Sequence, residues 1–322
     1  LQPASKREDL RTPQQMVWLA ANITETFSME AYYQYEWEPV ELPPVGWYYS
    51  TNDALGGEGL QSWMYGNGQI SDLGTDLDEY FQLPAGTLGF DPDFQRLPGF
   101  NRDKPSDTGQ YGMALIGFLP DTNATKVGVH YMRYHSRLPV VMGRTGDAAA
   151  VAATAEPFVA ARADALTTVY LQEGFDPAEA TLLGRQAAED ITLSNYANEA
   201  SYFVTYPEDL DAVGLSFSTS LSRTGTLFAG EYTFHKDFPF QTALGPVFQS
   251  VFSPVLFDQT VGDTPLGDFG PGQVITGYQE SDRSLATVEI GQIFRGRIWA
   301  DQVLVSADLS WAGVHDMPVG DA

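Results

Sequence analysis

Apolar and polar residues alternate one by one through several stretches of the chain, most plainly over residues 27–38, Phe-Ser-Met-Glu-Ala-Tyr-Tyr-Gln-Tyr-Glu-Trp-Glu. Phe27, Met29, Ala31, Tyr33, Tyr35 and Trp37 take the odd positions; Ser28, Glu30, Gln34, Glu36 and Glu38 take the even ones, together with Tyr32. Successive strand side chains point to opposite faces, so this pattern predicts a strand with one oily face and one wet face. Soluble strands usually run about 5–6 residues, whereas a tilted strand crossing a bilayer needs about 9–11, so the length of the stretch favours a membrane span. Its aromatics gather toward one end, at Tyr33, Tyr35 and Trp37, where an interfacial girdle lies in such strands.

The same rhythm recurs and predicts four hairpins. Residues 16–23 pair with 27–38; residues 110–119 pair with 126–135 across Pro120-Asp-Thr-Asn-Ala-Thr; residues 213–221 pair with 226–235 across Ser222-Arg-Thr-Gly; and residues 286–294 pair with 302–311. Phe217, Phe228, Phe234, Val305 and Trp311 continue the oily face begun by Phe27, Met29, Tyr33, Tyr35 and Trp37. Long connections over residues 39–107, 138–209 and 237–283 separate the hairpins, whereas the turns inside them are short. Connections beyond about 12–15 residues are uncommon in compact domains. Placing every long connection at one end is the asymmetry of outer-membrane barrels, and a soluble sandwich has no reason to adopt it.

The expectation is therefore an all-β fold: an antiparallel transmembrane β-barrel, partial in this chain, with about eight strands. Residues 1–322 read as one barrel fragment with long extracellular loops. One loop is helical over about residues 147–190, where Asp176-Pro-Ala-Glu places Asp at the N-cap and Pro at the first helical position. Pro157 either starts a second helix or kinks the first. The chain opens at Leu1 without Met and closes on Val-Gly-Asp-Ala, so both ends read as cuts.

Composition narrows the chemistry. A formal charge of −25 with only 17 Lys and Arg argues against nucleic acid as a partner. Zero Cys excludes disulfides, thiolate metal sites and a cysteine nucleophile. There is no apolar run of about 18 residues, so a membrane-spanning form must cross with strands. Nucleophile-elbow, zincin, P-loop and complete dinucleotide signatures are absent, and no enzymatic activity is expected.

On the wet face, Glu30, Gln34, Glu36, Glu231, Glu289 and Asp308 are the expected lumen-facing set, because a charge turned to lipid costs several kcal/mol near the midplane. They either make a cation-favouring lumen or pair with basic residues of other strands. Trp47, Tyr49, Trp63 and Tyr65 in the first loop suit an entrance site for an apolar solute, or else the loop's own core. Asp76, Asp78 and Glu79 offer hard oxygen ligands, which makes a structural calcium the only cofactor to weigh; without EF-hand spacing, solvated acidic loop is the plainer account.

Three segments carry a family resemblance: Ser28-Met-Glu-Ala-Tyr-Tyr-Gln-Tyr-Glu-Trp, His130-Tyr-Met-Arg-Tyr-His-Ser-Arg-Leu-Pro, and Phe203-Val-Thr-Tyr-Pro-Glu-Asp-Leu leading into Gly214-Leu-Ser-Phe-Ser-Thr. They resemble a Gram-negative outer-membrane family known as domain of unknown function 1302. The resemblance implies a porin-like barrel in the outer membrane, in contact with its lipid and moving a small hydrophobic solute. The alternatives are a sealed barrel that anchors acidic extracellular loops for a protein partner, and a soluble β-rich hydrolase using paired carboxylates.

Overall fold

The computed structural model describes residues 13–40, 62–65, 73–221, 223–255, 266–297 and 300–316, with single residues between them. Each alternating stretch becomes part of one large sheet. β1 (Met16–Thr24) turns into β2 (Phe27–Gln34). The first long connection carries β3 (Ser62–Met64), β4 (Thr75–Asp76), α1 (Leu77–Tyr80), β5 (Phe90–Asp91) and β6 (Arg96–Asp103). β7 (Gln110–Leu119) and β8 (Thr125–Tyr134) form the next hairpin. The second connection holds β9 (Val140–Arg144), α2 (Ala148–Ala152), α3 (Glu156–Gln172), α4 (Pro177–Glu199) and β10 (Ser201–Thr205). β11 (Leu210–Leu221) and β12 (Thr226–Gln241) follow, then α5 (Leu244–Val251) and β13 (Val274–Ile275). β14 (Tyr278–Arg297) and β15 (Ala300–His315) close the series.

The large sheet has eight strands in the order β1-β2-β7-β8-β11-β12-β14-β15, antiparallel throughout. It is a meander in which each spatial neighbour is the next long strand in sequence. β1 and β15 are its edges and do not pair with one another among the described residues. The mostly antiparallel β architecture is the expected one; the closed barrel is not seen, because closure requires those two edges to meet.

β2 ends at Gln34, four residues short of the predicted stretch. Beyond it the chain turns inward: Trp37 is buried against Tyr206 with ring centroids 4.6 Å apart, and its backbone N–H donates to Asp107 Oδ1 at 3.1 Å. Trp37 therefore leaves the apolar face to which its odd position assigned it.

The long connections are not loops in the ordinary sense. Strands from all three combine in a second, five-stranded sheet of order β13-β9-β10-β6-β3, whose one parallel pair is β10 with β6. Leu97, Val141, Tyr196, Tyr202, Phe248, Val251 and Ile275 form its core together with α4 and α5. Fully burying large apolar side chains of this kind contributes about 1.5–3 kcal/mol each, which is what holds such long connections together as one cap.

The helices follow local signals. Asp176 accepts from Ala178 N at 2.9 Å with Pro177 at the first position, and Pro157 lies in the first turn of α3, so it starts a helix instead of kinking one. α4 continues to Glu199, past the predicted 190, because no breaker intervenes and Thr192, Tyr196 and Ala197 extend its buried stripe. α3 and α4 pack closely over Ala163, Ala180, Ala187 and Ala188. At Gly184 a Cβ would meet Thr167 N at 2.8 Å, so only glycine permits this approach.

Candidate functional site: a two-faced sheet and its capped end

Residues directly opposite one another in an antiparallel pair share a face, so the register sorts every side chain of the large sheet. One row crosses all eight strands: Ala21, Met29, Leu115, Val129, Leu215, Tyr232, Ala286 and Trp311. The next contains Phe27, Gly117, Val127, Phe217, Gly230, Val288 and Leu309. Phe228 and Ile290 continue the face on one side, and Leu19, Met113, Val213 and Phe234 on the other. No protein layer covers it: Leu215 is 53% exposed, Val305 54%, Trp311 54% and Leu309 74%. A continuous apolar face of this extent is far beyond the scattered exposed hydrophobics of ordinary soluble surfaces. Ser284 within it is buried, and its hydroxyl is satisfied by Tyr232 OH at 2.9 Å and His315 Nε2 at 2.7 Å.

Toward the capped end the apolar face gives way to a tyrosine border. Tyr33 and Tyr111 are cross-strand partners, and the Tyr111 and Tyr131 rings lie 6.1 Å apart. In the row of Tyr33 and Tyr111, Arg133 grips Asp211 through Nε and Nη2, both at 3.0 Å, while Tyr131 OH from the neighbouring row donates to the same carboxylate at 2.7 Å. Sequence reasoning missed this pair, although Arg133 and Asp211 each interrupt the odd-position apolar series of their strands.

The opposite face carries the strands' polar residues, interspersed with apolar ones such as Ile116, Leu227, Leu285 and Leu304. Glu30, Gln34, Glu231, Glu289 and Asp308 all lie on it; Glu289 faces Asp308 across the strands, and Glu231 faces Ser216 and Thr287. None of these four acids makes an ion pair among the described residues. His130 Nε2 and Ser216 Oγ are hydrogen-bonded at 2.9 Å over Gly128, and a shallow cavity of about 260 Å³ beside them is lined by Gly214, Glu231 and Thr233 among others. Gln34 is buried, not open: its amide binds Gln14 and the Glu36 carbonyl. Glu36 lies beyond β2, where its carboxylate accepts from Gln15 N at 2.9 Å.

In the cap, Trp47 and Tyr49 lie outside the described residues. Trp63 and Tyr65 are half-buried in the core of the five-stranded sheet, Trp63 on Phe248 at 4.6 Å and Tyr65 on Phe252 at 5.2 Å, so they serve as the core of the connection. Asp76, Asp78 and Glu79 do not converge as ligands. Asp76 caps α1, accepting from Asp78 N and Glu79 N. Asp78 is buried, and its carboxylate accepts backbone N–H groups of Leu88 at 2.6 Å, Gly86 at 2.7 Å and Gly89 at 3.2 Å. Among the described residues no group of three or more His, Cys, Asp or Glu could hold a metal ion.

The Leu88 N–H above all, with the Gly86 and Gly89 amides, holds the Asp78 carboxyl below the usual carboxylate range. A depressed folded pKa contributes stability that is present above the unfolded value and lost as pH falls through the folded one. Asp78→Asn is therefore expected to speed hydrogen exchange at Gly86, Leu88 and Gly89 at neutral pH, and to converge with wild type in strong acid. Identical exchange at neutral pH would rule out this role for the carboxylate.

The junction between sheet and cap turns on His135, only 2% exposed. Its Nε2–H donates to Thr108 O at 2.9 Å and its Nδ1 accepts from Asp209 N at 3.1 Å, joining the first long connection to the second. Beside it, Arg137 Nε donates to Glu38 O at 2.9 Å.

These features define a class: an open, two-faced antiparallel β-meander with a folded cap at the end of its long connections. The chain belongs to the family described as "Protein of unknown function (DUF1302)", whose family model matches residues 1–321. No curated protein and no solved structure matches it.

Proposed function

We propose that the large sheet is wall of a Gram-negative outer-membrane β-barrel, and that the polar face under the cap passes a small hydrophobic solute. The observation that carries the membrane step is the broad exposed apolar face with its tyrosine border, with the acidic residues turned to the other side of the same strands. Val303, Val305, Ala307, Leu309 and Trp311 of β15 cover about 27 Å of strand, the scale of the roughly 25 Å apolar belt of such barrels. Unpaired strand edges do not persist in hydrocarbon, so in this reading β1 and β15 take partners, either further strands or a second copy. The solute class rests on the family resemblance.

The buried junction around Trp37 and His135 favours a second reading, a sealed anchor whose acidic cap meets a protein partner. Reconstitution into vesicles and planar bilayers separates the two. Transport requires solute influx or ion conductance from the intact chain, rising when residues 147–199 are deleted. An intact chain that inserts yet passes neither ions nor solute removes the transport claim and leaves the anchor.

A further inference from the structure

A second feature lies in the cap, away from the sheet. A groove of about 400 Å³ separates α2 from the C-terminal half of α4, and its polar lining comprises Asp147, Thr154, Arg162, Thr192, Asn195 and Glu199. Thr192, Asn195 and Glu199 are three and four residues apart, on one face of α4. From Thr192 to Glu199 is seven residues, about 10 Å of helix axis.

Most polar groups here are already used. Thr192 Oγ1 donates to Ala188 O at 2.6 Å, Thr154 Oγ1 to Val151 O at 2.7 Å, and Asp147 Oδ1 accepts from Ala150 N at 2.8 Å. Tyr196 donates to Val251 O at 2.8 Å and takes the Gly146 N–H at 3.0 Å. Burial pushes its phenol up to about 12, so it stays neutral.

Arg162 uses only one of its donors. Half-buried at one end of the groove, it donates one N–H to Thr192 Oγ1 and forms no ion pair among the described residues. The contrast is Arg185 on the same helical hairpin, which is saturated by Glu156 at 2.6 and 2.9 Å and by Glu189 at 2.5 Å. Arg137, Arg144 and Arg283 also lack a carboxylate, but each is engaged otherwise, by Glu38 O and by the Phe203 and Phe238 rings. The free fork of Arg162 matches a carboxylate bidentately. The carboxylates of Asp147 and Glu199 on the same lining disfavour a polyanion and favour a cationic group elsewhere on the ligand.

We propose that this groove binds a small zwitterion with separated charges, its carboxylate on Arg162 and its ammonium, a few methylenes away, on Glu199 and Asp147. The volume falls in the range of small-molecule sites, about 300–1,000 Å³. This site is independent of the barrel reading.

The test is calorimetry on the full chain in detergent with 5-aminopentanoate, pentanoate and 1,5-diaminopentane. Saturable binding of 5-aminopentanoate is expected, with pentanoate, which lacks the ammonium, and 1,5-diaminopentane, which puts a second ammonium where the carboxylate was, each about ten-fold weaker or worse, since one charge-assisted contact is lost. Arg162→Gln is expected to lose binding of the zwitterion. The paired change Asp147→Asn with Glu199→Gln should reduce the zwitterion to the level of pentanoate, while Asn keeps the helix cap. Arg162→Lys, which retains the charge without the fork, serves if Arg162→Gln fails to fold, and is expected to bind more weakly than wild type. No saturable binding at millimolar 5-aminopentanoate, equal affinity for all three probes, or an arginine variant that binds like wild type overturns the proposal.

Discussion

Leu215→Arg is expected to cost about 2–4 kcal/mol of folding free energy in lipid vesicles, the price of a cation at mid-depth on a lipid-facing strand. Leu215 sits in the row that crosses all eight strands, more than half exposed, with Val129 and Tyr232 as its cross-strand neighbours. Ala229→Arg is the matched control. It lies three residue rows away on the opposite face, across from Glu289, where a cation meets an unpaired carboxylate. Urea titration of vesicle-folded protein, read by gel mobility without boiling, should separate the two variants clearly. If both behave alike, or if the wild-type chain is fully soluble and folded without detergent, the apolar face is not a lipid surface.

His135→Ala is expected to loosen the cap from the sheet. It strands the Thr108 carbonyl and the Asp209 N–H in a buried setting, and each unsatisfied buried group costs about 1–3 kcal/mol. A combined loss of about 2–4 kcal/mol would accelerate exchange in the segments around Thr108 and Asp209 by between roughly thirty-fold and several hundred-fold. The effect should concentrate in those segments and spare the amides of β11 and β12, whose ladder does not depend on the imidazole. Unchanged exchange near Thr108 and Asp209 would show that the imidazole does not hold the junction. His135→Gln, whose amide offers both N–H donors and an acceptor oxygen, is the variant that should recover part of the loss.

The large sheet was legible because it obeys a local rule. All four hairpins fall where the two-residue rhythm placed them, and Phe217, Phe228, Phe234, Val305 and Trp311 share a face with Phe27, Met29 and Tyr33. Asp176 and Pro177 announced a helix start in the same way. The rule failed at Trp37, whose odd position says nothing about the chain turning under Tyr206 after Gln34. For Trp63 and Tyr65 the sequence left an entrance site and a loop core both open, since aromatics in a connection look the same either way, and packing puts them in the core.

Alternation and turn chemistry act between neighbours in sequence, so the amino-acid order alone set the strands, their pairing as a meander and the division into an oily and a wet side. The cap is different in kind. Its strands are short and come from three separate connections, and β6 meets β10 across about a hundred positions of chain. The groups that join it to the sheet, His135 with Thr108 and Asp209, or Trp37 with Asp107, are partners only because the tertiary fold removes them from water together. Arg185 finds Glu189 one turn on in its own helix, where Arg162 has Leu166; but that Glu156 also reaches Arg185, and that Arg162 reaches Thr192, was decided by how α3 and α4 pack.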